Sequence, residues 1–184
     1  MAAWSSDIKN GFISTRPELE PDFTPAAYNK LLNNLFPVNT PFTVFPNVHL
    51  HQQSSVPDTR ATFTVYYGKS PVFLLDINAY SSLPRISSRE AADGRIRRHM
   101  RDLLPYCPLP ALHGVSVFGT RMAFYKAGPA WSNVLPARTC TEGAGELEDT
   151  TPVDWWDCDL LEDDGAIRLK EVVNRIRNEC DNLS

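Results

Sequence analysis

The segment at residues 71–78 constrains the fold more than any other part of the sequence. It reads Pro-Val-Phe-Leu-Leu-Asp-Ile-Asn, an apolar run that contains one carboxylate, Asp76. Such a run predicts a strand buried on both faces of a covered sheet. Alternation places Val72, Leu74, Asp76 and Asn78 on one face of that strand. An ionised carboxylate inside a core costs several kcal/mol unless a cation, a donor or water compensates it, so Asp76 either reaches solvent at the strand end or belongs to a site.

The surrounding patterns predict a single α/β (α+β) domain over residues 24–184, with a central mixed sheet of four or five strands flanked by helices. We expect strands around 42–45, 62–67, 72–78, 115–118 and 121–126, and helices at 25–36, 88–104 and 165–181. Apolar residues recur at helical spacing in the helices, and the strands are rich in β-branched and aromatic residues. Residues 1–23 predict an irregular arm and residues 128–156 a long acidic loop, because neither stretch has a period.

Charge is distributed unevenly along the chain, although the net charge is only −4. Between residues 85 and 126 there are eight basic residues against three acidic ones, whereas residues 142–164 hold ten acidic residues and no Lys or Arg. Four of the basic residues lie on the helix at 88–104, namely Arg95, Arg97, Arg98 and Arg101. Arginine pairs with phosphate through two parallel hydrogen bonds, so this helix is a candidate nucleic-acid surface. The alternative is a solvated helix face whose arginines pair with neighbouring acids.

The four cysteines are scattered, without a C-x-x-C pair or a histidine at metal-ligand spacing. They therefore predict reduced, structural thiols rather than a zinc site. No apolar run resembles a signal peptide or approaches the length of a membrane span. We expect an intracellular protein, cytoplasmic or nuclear, that does not enter a membrane.

The clearest hairpin consists of the predicted strands at 62–67 and 72–78, and an acidic residue lies near each of these strands. Asp58 follows Pro57 ahead of the strand at 62–67, and Asp76 lies near the end of the strand at 72–78. If the hairpin brings both carboxylates to one end of the sheet, they can hold a divalent ion such as Mg²⁺, which activates water and neutralises a phosphate. The alternatives are that Asp58 is a turn residue and that Asn78 caps a strand end.

The Pro57-Asp58 and Asp76-Ile77-Asn78 pair resembles the motif of the PD-(D/E)XK nuclease superfamily, and the element order matches its αβββαβ core. More closely, two runs resemble an uncharacterised family of mushroom-type (basidiomycete) fungal proteins over about residues 25–180. These runs are Ser-Arg-Glu-Ala-Ala-Asp-Gly-Arg-Ile-Arg from Ser88 and Pro-Ala-Leu-His-Gly-Val-Ser-Val-Phe-Gly-Thr-Arg-Met-Ala-Phe-Tyr from Pro110. Members of that family often carry an acidic-x-Lys at the place of Asp76-Ile77-Asn78.

The resemblance implies that Asp58 and Asp76 are catalytic metal ligands and that Asn78 stands where the superfamily has its Lys. An Asn amide can hydrogen-bond a water, but it has no positive charge and does not transfer protons. Another cation would have to substitute, namely Arg95, Arg98 or Lys69, or the site is degenerate.

Three functions are therefore open. The first is a metal-dependent nuclease that cleaves phosphodiesters. The second is a non-catalytic interaction module, a pseudo-nuclease that binds nucleic acid or a protein partner. The third is a small-molecule enzyme with a pocket under the 128–156 loop, with Trp155 or Trp156 as a lid.

Overall fold

The computed structural model describes residues 4–13, 25–51, 58–129, 133–138 and 149–183, and for residues 48–51 and 58–60 it describes the backbone alone. Within these ranges the chain forms four α-helices and one mixed sheet of six strands, which confirms the α/β (α+β) class. The helices are α1 (Ser6–Ile13), α2 (Pro25–Leu35), α3 (Ile86–Leu103) and α4 (Asp163–Asp181). The strands are β1 (Phe42–His51), β2 (Asp58–Tyr67), β3 (Ser70–Asn78), β4 (Leu112–Phe118), β5 (Arg121–Ala127) and β6 (Cys158–Asp159).

The six strands lie in the sheet in the same order as in the chain. Neighbouring strands are antiparallel except β3 and β4, which are parallel and are connected through α3. The sheet exceeds the expected four or five strands because the two-residue β6 pairs with the start of β5. Strand β1 also continues beyond residue 45 through Pro46, which a strand tolerates at the edge of a sheet, where one row of N–H groups has no partner strand.

The two faces of the sheet are covered by different helices. Helices α1, α2 and α4 pack on one face, where Tyr28, Phe36 and Ile176 join Phe73 of β3 in the larger apolar cluster. Helix α3 packs on the other face through an apolar ridge of Ala92, Ile96 and Met100. The helix approaches β4 so closely at Gly114 that an added Cβ atom would lie 2.9 Å from the Met100 sulfur.

Strand β3 is the centre of both clusters, as the apolar run predicts. Every residue from Pro71 to Asn78 is buried. Leu74 belongs to the cluster under α3, whereas Phe73, Leu75 and Ile77 belong to the cluster on the opposite face. The prediction of a strand covered on both faces is therefore confirmed, and Asp76 lies inside the protein.

The prediction of an irregular arm over residues 1–23 is wrong for Ser6–Ile13, which forms α1. Trp4, Ile8 and Phe12 follow one another at intervals of four, a helical stripe, and all three are buried. The Trp4 indole N–H donates to the carbonyl of Leu160 at 2.7 Å, and the edge of Phe12 contacts the Tyr28 ring. Residues 14–23 of the predicted arm lie outside the described ranges.

The long loop expected at 128–156 contains regular structure where it is described. Leu135 pairs with Lys126 through an isolated antiparallel bridge, and Val153–Trp156 forms one turn of 3₁₀ helix. Trp156 is fully buried against Phe118, so it anchors this segment to the core and cannot act as a lid. None of the described helices is long and apolar enough to cross a membrane.

Candidate functional site

Asp76 lies on the face of β3 that is covered by α3. Its register partners are Thr62 on β2 and Ser116 on β4, and its carboxylate is fully buried. The Ser116 hydroxyl beside it is also fully buried and has no hydrogen-bond partner among the described residues. The sequence therefore places a charged side chain in the core. Whether the folded protein tolerates this charge depends on which side chain of α3 lies opposite it.

Arg95 faces Asp76 with a two-pronged ion pair. Its Nε donates to Oδ1 at 3.0 Å and its Nη2 donates to Oδ2 at 2.9 Å. The Arg95 side chain is 15% exposed and that of Asp76 is 0% exposed. Paired N–H donors aligned on both oxygens of a carboxylate make a strong, charge-assisted interaction. Of the three cations that could replace the missing lysine, Arg95 is the one that pairs with Asp76.

Asn78 joins this ion pair through its side-chain amide, which both donates and accepts hydrogen bonds. The Nδ2 group donates to Asp76 Oδ2 at 3.1 Å and to the carbonyl of Val117 at 3.0 Å. The Oδ1 atom accepts from Arg95 Nη2 at 2.5 Å. Asn78 therefore holds the ion pair in place and ties it to β4. We call Asp76, Asn78 and Arg95 the closed triad.

The closed triad does not fit a magnesium ion as it stands. Mg²⁺ requires oxygen ligands in octahedral geometry and usually keeps several waters. Both oxygens of Asp76 already accept hydrogen bonds, and the positive charge of Arg95 lies where a cation would have to approach. An ion could bind only if Arg95 moved away and lost its hydrogen bonds to Asp76 and Asn78.

Asp58 is displaced from Asp76 along the sheet. Asp76 pairs with Thr62, so Asp58 lies four positions further along β2, a distance of about 13 Å at the usual strand rise. Its side chain lies outside the described residues. Magnesium binding by Asp58 and Asp76 together, and a catalytic role for these two residues and Asn78, therefore stay predictions.

A second buried acid, Asp93, lies on α3 two residues before Arg95 and was not among the candidates from the sequence. Its Oδ1 accepts from Arg97 Nε at 2.6 Å and its Oδ2 accepts from Arg138 Nε at 2.7 Å. The Arg97 guanidinium also donates to the carbonyls of Val134 at 2.6 Å and Pro136 at 2.5 Å. The i, i+4 spacing of Asp93 and Arg97 is the sequence signal that could have indicated this pair.

Aromatic rings enclose the Arg97 guanidinium, whose carbon lies 5.4 Å from the centre of the Tyr125 ring and 5.8 Å from that of Trp155. Burial, and next the carboxylate of Asp93, raise the pKa of Tyr125, so its hydroxyl stays protonated. This network stabilises the fold, since the partners of Arg97 and Asp93 are all groups of the protein itself.

Arg89 forms the third buried contact of α3. It donates to the carbonyls of Leu83, Pro84 and Thr151, and its Nη2 pairs with the Asp149 carboxylate. Arg89, Asp93 and Arg97 recur every four residues and form a polar ridge beside the apolar ridge of α3. Because Arg138 binds Asp93 and Asp149 binds Arg89, both ends of the segment 139–148 are fixed to α3.

The four arginines proposed for nucleic-acid contacts therefore have different surroundings. Arg95 and Arg97 are committed to Asp76 and Asp93 inside the protein. Arg98 and Arg101 have exposed side chains, and they share the outer surface of α3 with the exposed acids Glu90 and Asp102. A nucleic-acid role for the four residues stays a prediction, and only two of them offer their charge to a partner.

A cleft of ≈420 Å³ opens at the outer edge of β5, beside the described parts of the 128–156 loop. It is lined by Ala123, Phe124, Lys126, Leu135, Pro136, Asp154, Trp155, Asp157 and Arg168. The Arg168 guanidinium stacks on the Phe124 ring at 4.3 Å, and its Nη1 lies 3.5 Å from Asp157 Oδ1. Trp155 lines this cleft, and its predicted role as the lid of a small-molecule site stays a prediction.

No set of three or more His, Cys, Asp or Glu side chains in the described ranges is arranged to hold a metal ion. His113 is buried, and its burial, with the charges of Lys126 and Arg175, lowers its pKa to about 4. It is therefore neutral at physiological pH and lies on β4 away from the closed triad.

Comparison with known proteins adds no relative. No family model matches the chain, and neither do any of the curated proteins or the solved structures. The functional argument therefore depends on the geometry of the closed triad, the polar ridge and the cleft.

Proposed function

We propose that this chain is a non-catalytic interaction module with a PD-(D/E)XK nuclease-like core, a pseudo-nuclease that binds a protein partner. The observation that carries the proposal is the closed triad. The only candidate catalytic acid with a described side chain is fully buried and is engaged on both oxygens by Arg95. An acid in this state is a poor metal ligand and a poor base, because Arg95 compensates its charge and three of its roughly four acceptor sites already take hydrogen bonds.

The element order supports the nuclease-like part of the proposal. Helix α2, the three antiparallel strands β1–β3, helix α3 and strand β4 follow one another in the αβββαβ order expected from the resemblance. The triad lies on β3 and α3, where the resemblance would put the acid, the lysine position and the following helix. Such a core can persist without catalysis, because function depends on the residues of a site rather than on the fold that carries them.

A protein partner is favoured over nucleic acid by the charges on α3. Binding to phosphates requires several exposed Lys or Arg side chains of one sign on one surface. Arg95 and Arg97 are paired with buried acids, and the exposed Asp102 follows Arg101 and lies one helical turn from Arg98. This surface therefore lacks the group of like charges that a phosphate-binding track requires.

The competing function is a metal-dependent nuclease, and one experiment separates it from the proposal. Calorimetric titration with Mg²⁺ or Mn²⁺ should give no binding heat, and single- or double-stranded DNA and RNA should remain intact. Asp76→Asn and Asp157→Asn serve as a matched pair, since both remove one aspartate charge but only the first alters the triad. Metal-dependent cleavage that Asp76→Asn abolishes at an unchanged thermal midpoint, and that Asp157→Asn retains, would disprove the proposal.

A second measurement tests the choice of partner class. Gel-shift titration at low salt should show no binding of nucleic acid by the wild-type chain. Binding that disappears in the double variant Arg98→Gln, Arg101→Gln and that weakens steeply with added salt would favour a nucleic-acid partner instead.

A further inference from the structure

The hydrogen-bond ladder at the outer edge of β5 is interrupted. At one end, β6 pairs with β5 at Arg121 and Met122. At the other end, Lys126 and Leu135 exchange two backbone hydrogen bonds, with Lys126 N–H donating at 3.0 Å and Leu135 N–H at 2.8 Å. Between these two pairs, no described strand lies next to β5 on this side.

The main chain of Phe124 points into this gap. A residue that exchanges both backbone hydrogen bonds with one partner directs its N–H and C=O to the same side of its strand, and the direction alternates along the strand. Because Lys126 directs its groups outward to Leu135, Phe124 also directs its groups outward, whereas Tyr125 directs its groups to Gly114 of β4. No described backbone group pairs with Phe124 on that side.

The interruption coincides with the cleft. Phe124 and Ala123 of β5, Leu135 and Pro136 of the following segment, and Trp155 all line it. The cleft volume of ≈420 Å³ lies in the roughly 300–1,000 Å³ range of ligand sites. The distance along β5 from Met122 to Lys126 is about 13 Å, and because both of these residues are already paired, it leaves room for three residues of extended chain between the two pairs.

We infer that this cleft binds an extended peptide segment of a partner protein, one residue of which pairs with the main chain of Phe124. Addition of a strand to an exposed sheet edge uses main-chain hydrogen bonds for affinity and alternate side chains for specificity. The inference rests on the proposed function, since it names the surface through which the interaction module engages its partner.

Charge around Phe124 selects the central residue of the peptide. A side chain paired with Phe124 lies on the same face of the sheet as Phe124 and Lys126, because alternate residues share a face. Arg168 lies on that face and stacks on the Phe124 ring at 4.3 Å. A Glu or Asp at the central position meets the Arg168 guanidinium. It can replace Asp157, whose contact with Arg168 is 3.5 Å long and joins side chains that are 62% and 48% exposed.

The neighbouring peptide residues meet a different surface. Their side chains lie on the opposite face of the sheet edge, beside Ala123, Pro136 and Trp155. Trp155 offers a large apolar surface, since it is half-buried and Arg97 holds its ring in place from the other side. The preferred segment is therefore an extended run with one central acid between apolar residues.

Amide hydrogen exchange and a peptide titration followed by NMR test the inference. The Phe124 N–H should exchange faster than that of Tyr125, which is bonded inside the sheet. The blocked peptide acetyl-Val-Glu-Val-amide, with one residue for each of the three open strand positions, should shift the Phe124 amide resonance and slow its exchange. The same peptide with Lys in place of Glu should bind at least about threefold more weakly, as for loss of a half-exposed ion pair.

Two variants provide the control. Arg168→Gln should weaken binding of the Glu peptide about three- to fivefold, whereas Arg98→Gln, an exposed arginine on α3, should leave binding unchanged. The inference is overturned if Phe124 is as protected as Tyr125, if neither peptide moves the Phe124 resonance, or if the Lys peptide binds better. Its failure is distinct from failure of the proposed function, which the metal titration reports at Asp76.

Discussion

Two aspartate–arginine pairs of this protein use the same chemical groups in opposite surroundings. In the closed triad, Asp76 is 0% exposed and Arg95 is 15% exposed, with two N–H donors on the carboxylate. At the cleft, Asp157 and Arg168 are about half exposed and are joined by a single contact of 3.5 Å. The first pair is part of the core, and the second can open to a ligand without loss of the fold.

The difference shows why burial, rather than residue type, decides what an ion pair does. Separating a buried pair leaves a charge without a partner in a medium of low polarity, which costs several kcal/mol. Separating an exposed pair exchanges it for water and costs about 1 kcal/mol or less. Catalysis at Asp76 would require the first change, whereas binding at Arg168 requires only the second.

The largest expected effect is that of breaking the closed triad. Asp76→Ala leaves Arg95 without its counterion, and we expect a loss of about 3–5 kcal/mol in the free energy of unfolding. Urea denaturation measures this loss, with Asp157→Ala as the control. A loss below that of the control would show that Arg95 reaches water easily and that the triad is not closed.

A second large effect is a loss of folding stability in acid. Its source is His113, which is buried but does not belong to the closed triad. The folded protein lowers the pKa of His113 from 6.5 to about 4, so folding favours the neutral imidazole. The unfolded chain binds the extra proton between these values. Stability is therefore complete above pH 6.5 and decreases by up to about 3 kcal/mol as the pH falls toward 4.

The measurement is the urea midpoint as a function of pH for the wild type and for His113→Gln. We expect the variant to lose the part of the pH dependence between 6.5 and 4. An identical slope in both proteins would show that His113 is not the source of the acid sensitivity.

A smaller effect follows when both members of the triad pair become apolar. Replacement of a buried ion pair by apolar residues of similar size is often neutral or stabilising. The double variant Asp76→Leu, Arg95→Met should therefore unfold within about 2 kcal/mol of the wild type, well above either single variant. Denaturation of all four proteins in a double-mutant cycle gives the coupling directly. Additive losses would contradict a direct pairing.

The smallest effect is expected at the cleft. Asp157→Asn should change the free energy of unfolding by less than about 1 kcal/mol, and added salt should reduce even that difference. Thermal unfolding at low and high ionic strength measures it. A loss as large as that of Asp76→Ala would show that the Asp157–Arg168 pair is structural and would remove the basis for its exchange with a ligand.

Local sequence patterns were sufficient to predict most of the helices and strands. The apolar run of β3 and the stripe of Ala92, Ile96 and Met100 indicated the correct strand and the correct helix face, because period and apolar character are local properties. Helix α1 was missed since Trp4, Ile8 and Phe12 form a stripe of only three residues. The two-residue β6 has no local signal at all, because its pairing with β5 depends on the path of the loop before it.

The burial of the α3 arginines and their hydrogen-bond partners could not be predicted from the sequence. Arg89 and Arg97 lie on α3 with the spacing of a solvated charged stripe, yet they are buried. Their partners are the carbonyls of Thr151, Val134 and Pro136, which lie 37 to 62 positions away in the chain. Pattern alone does not indicate such partners, since a carbonyl group is present at every residue. The pairing of Arg95 with Asp76 was one of three possibilities, since the sequence does not show which of Arg95, Arg98 and Lys69 reaches β3.

The fixation of both loop ends on α3 has a consequence for engineering. Arg138 and Asp149 are held by Asp93 and Arg89, which lie one turn apart on the same helix. The cost of closing a chain between two fixed points rises only by about 0.6 kcal/mol for each doubling of its length. A fluorescent domain or an affinity tag inserted between residues 138 and 149 should therefore leave the fold intact, which makes this position a practical handle for capturing partners.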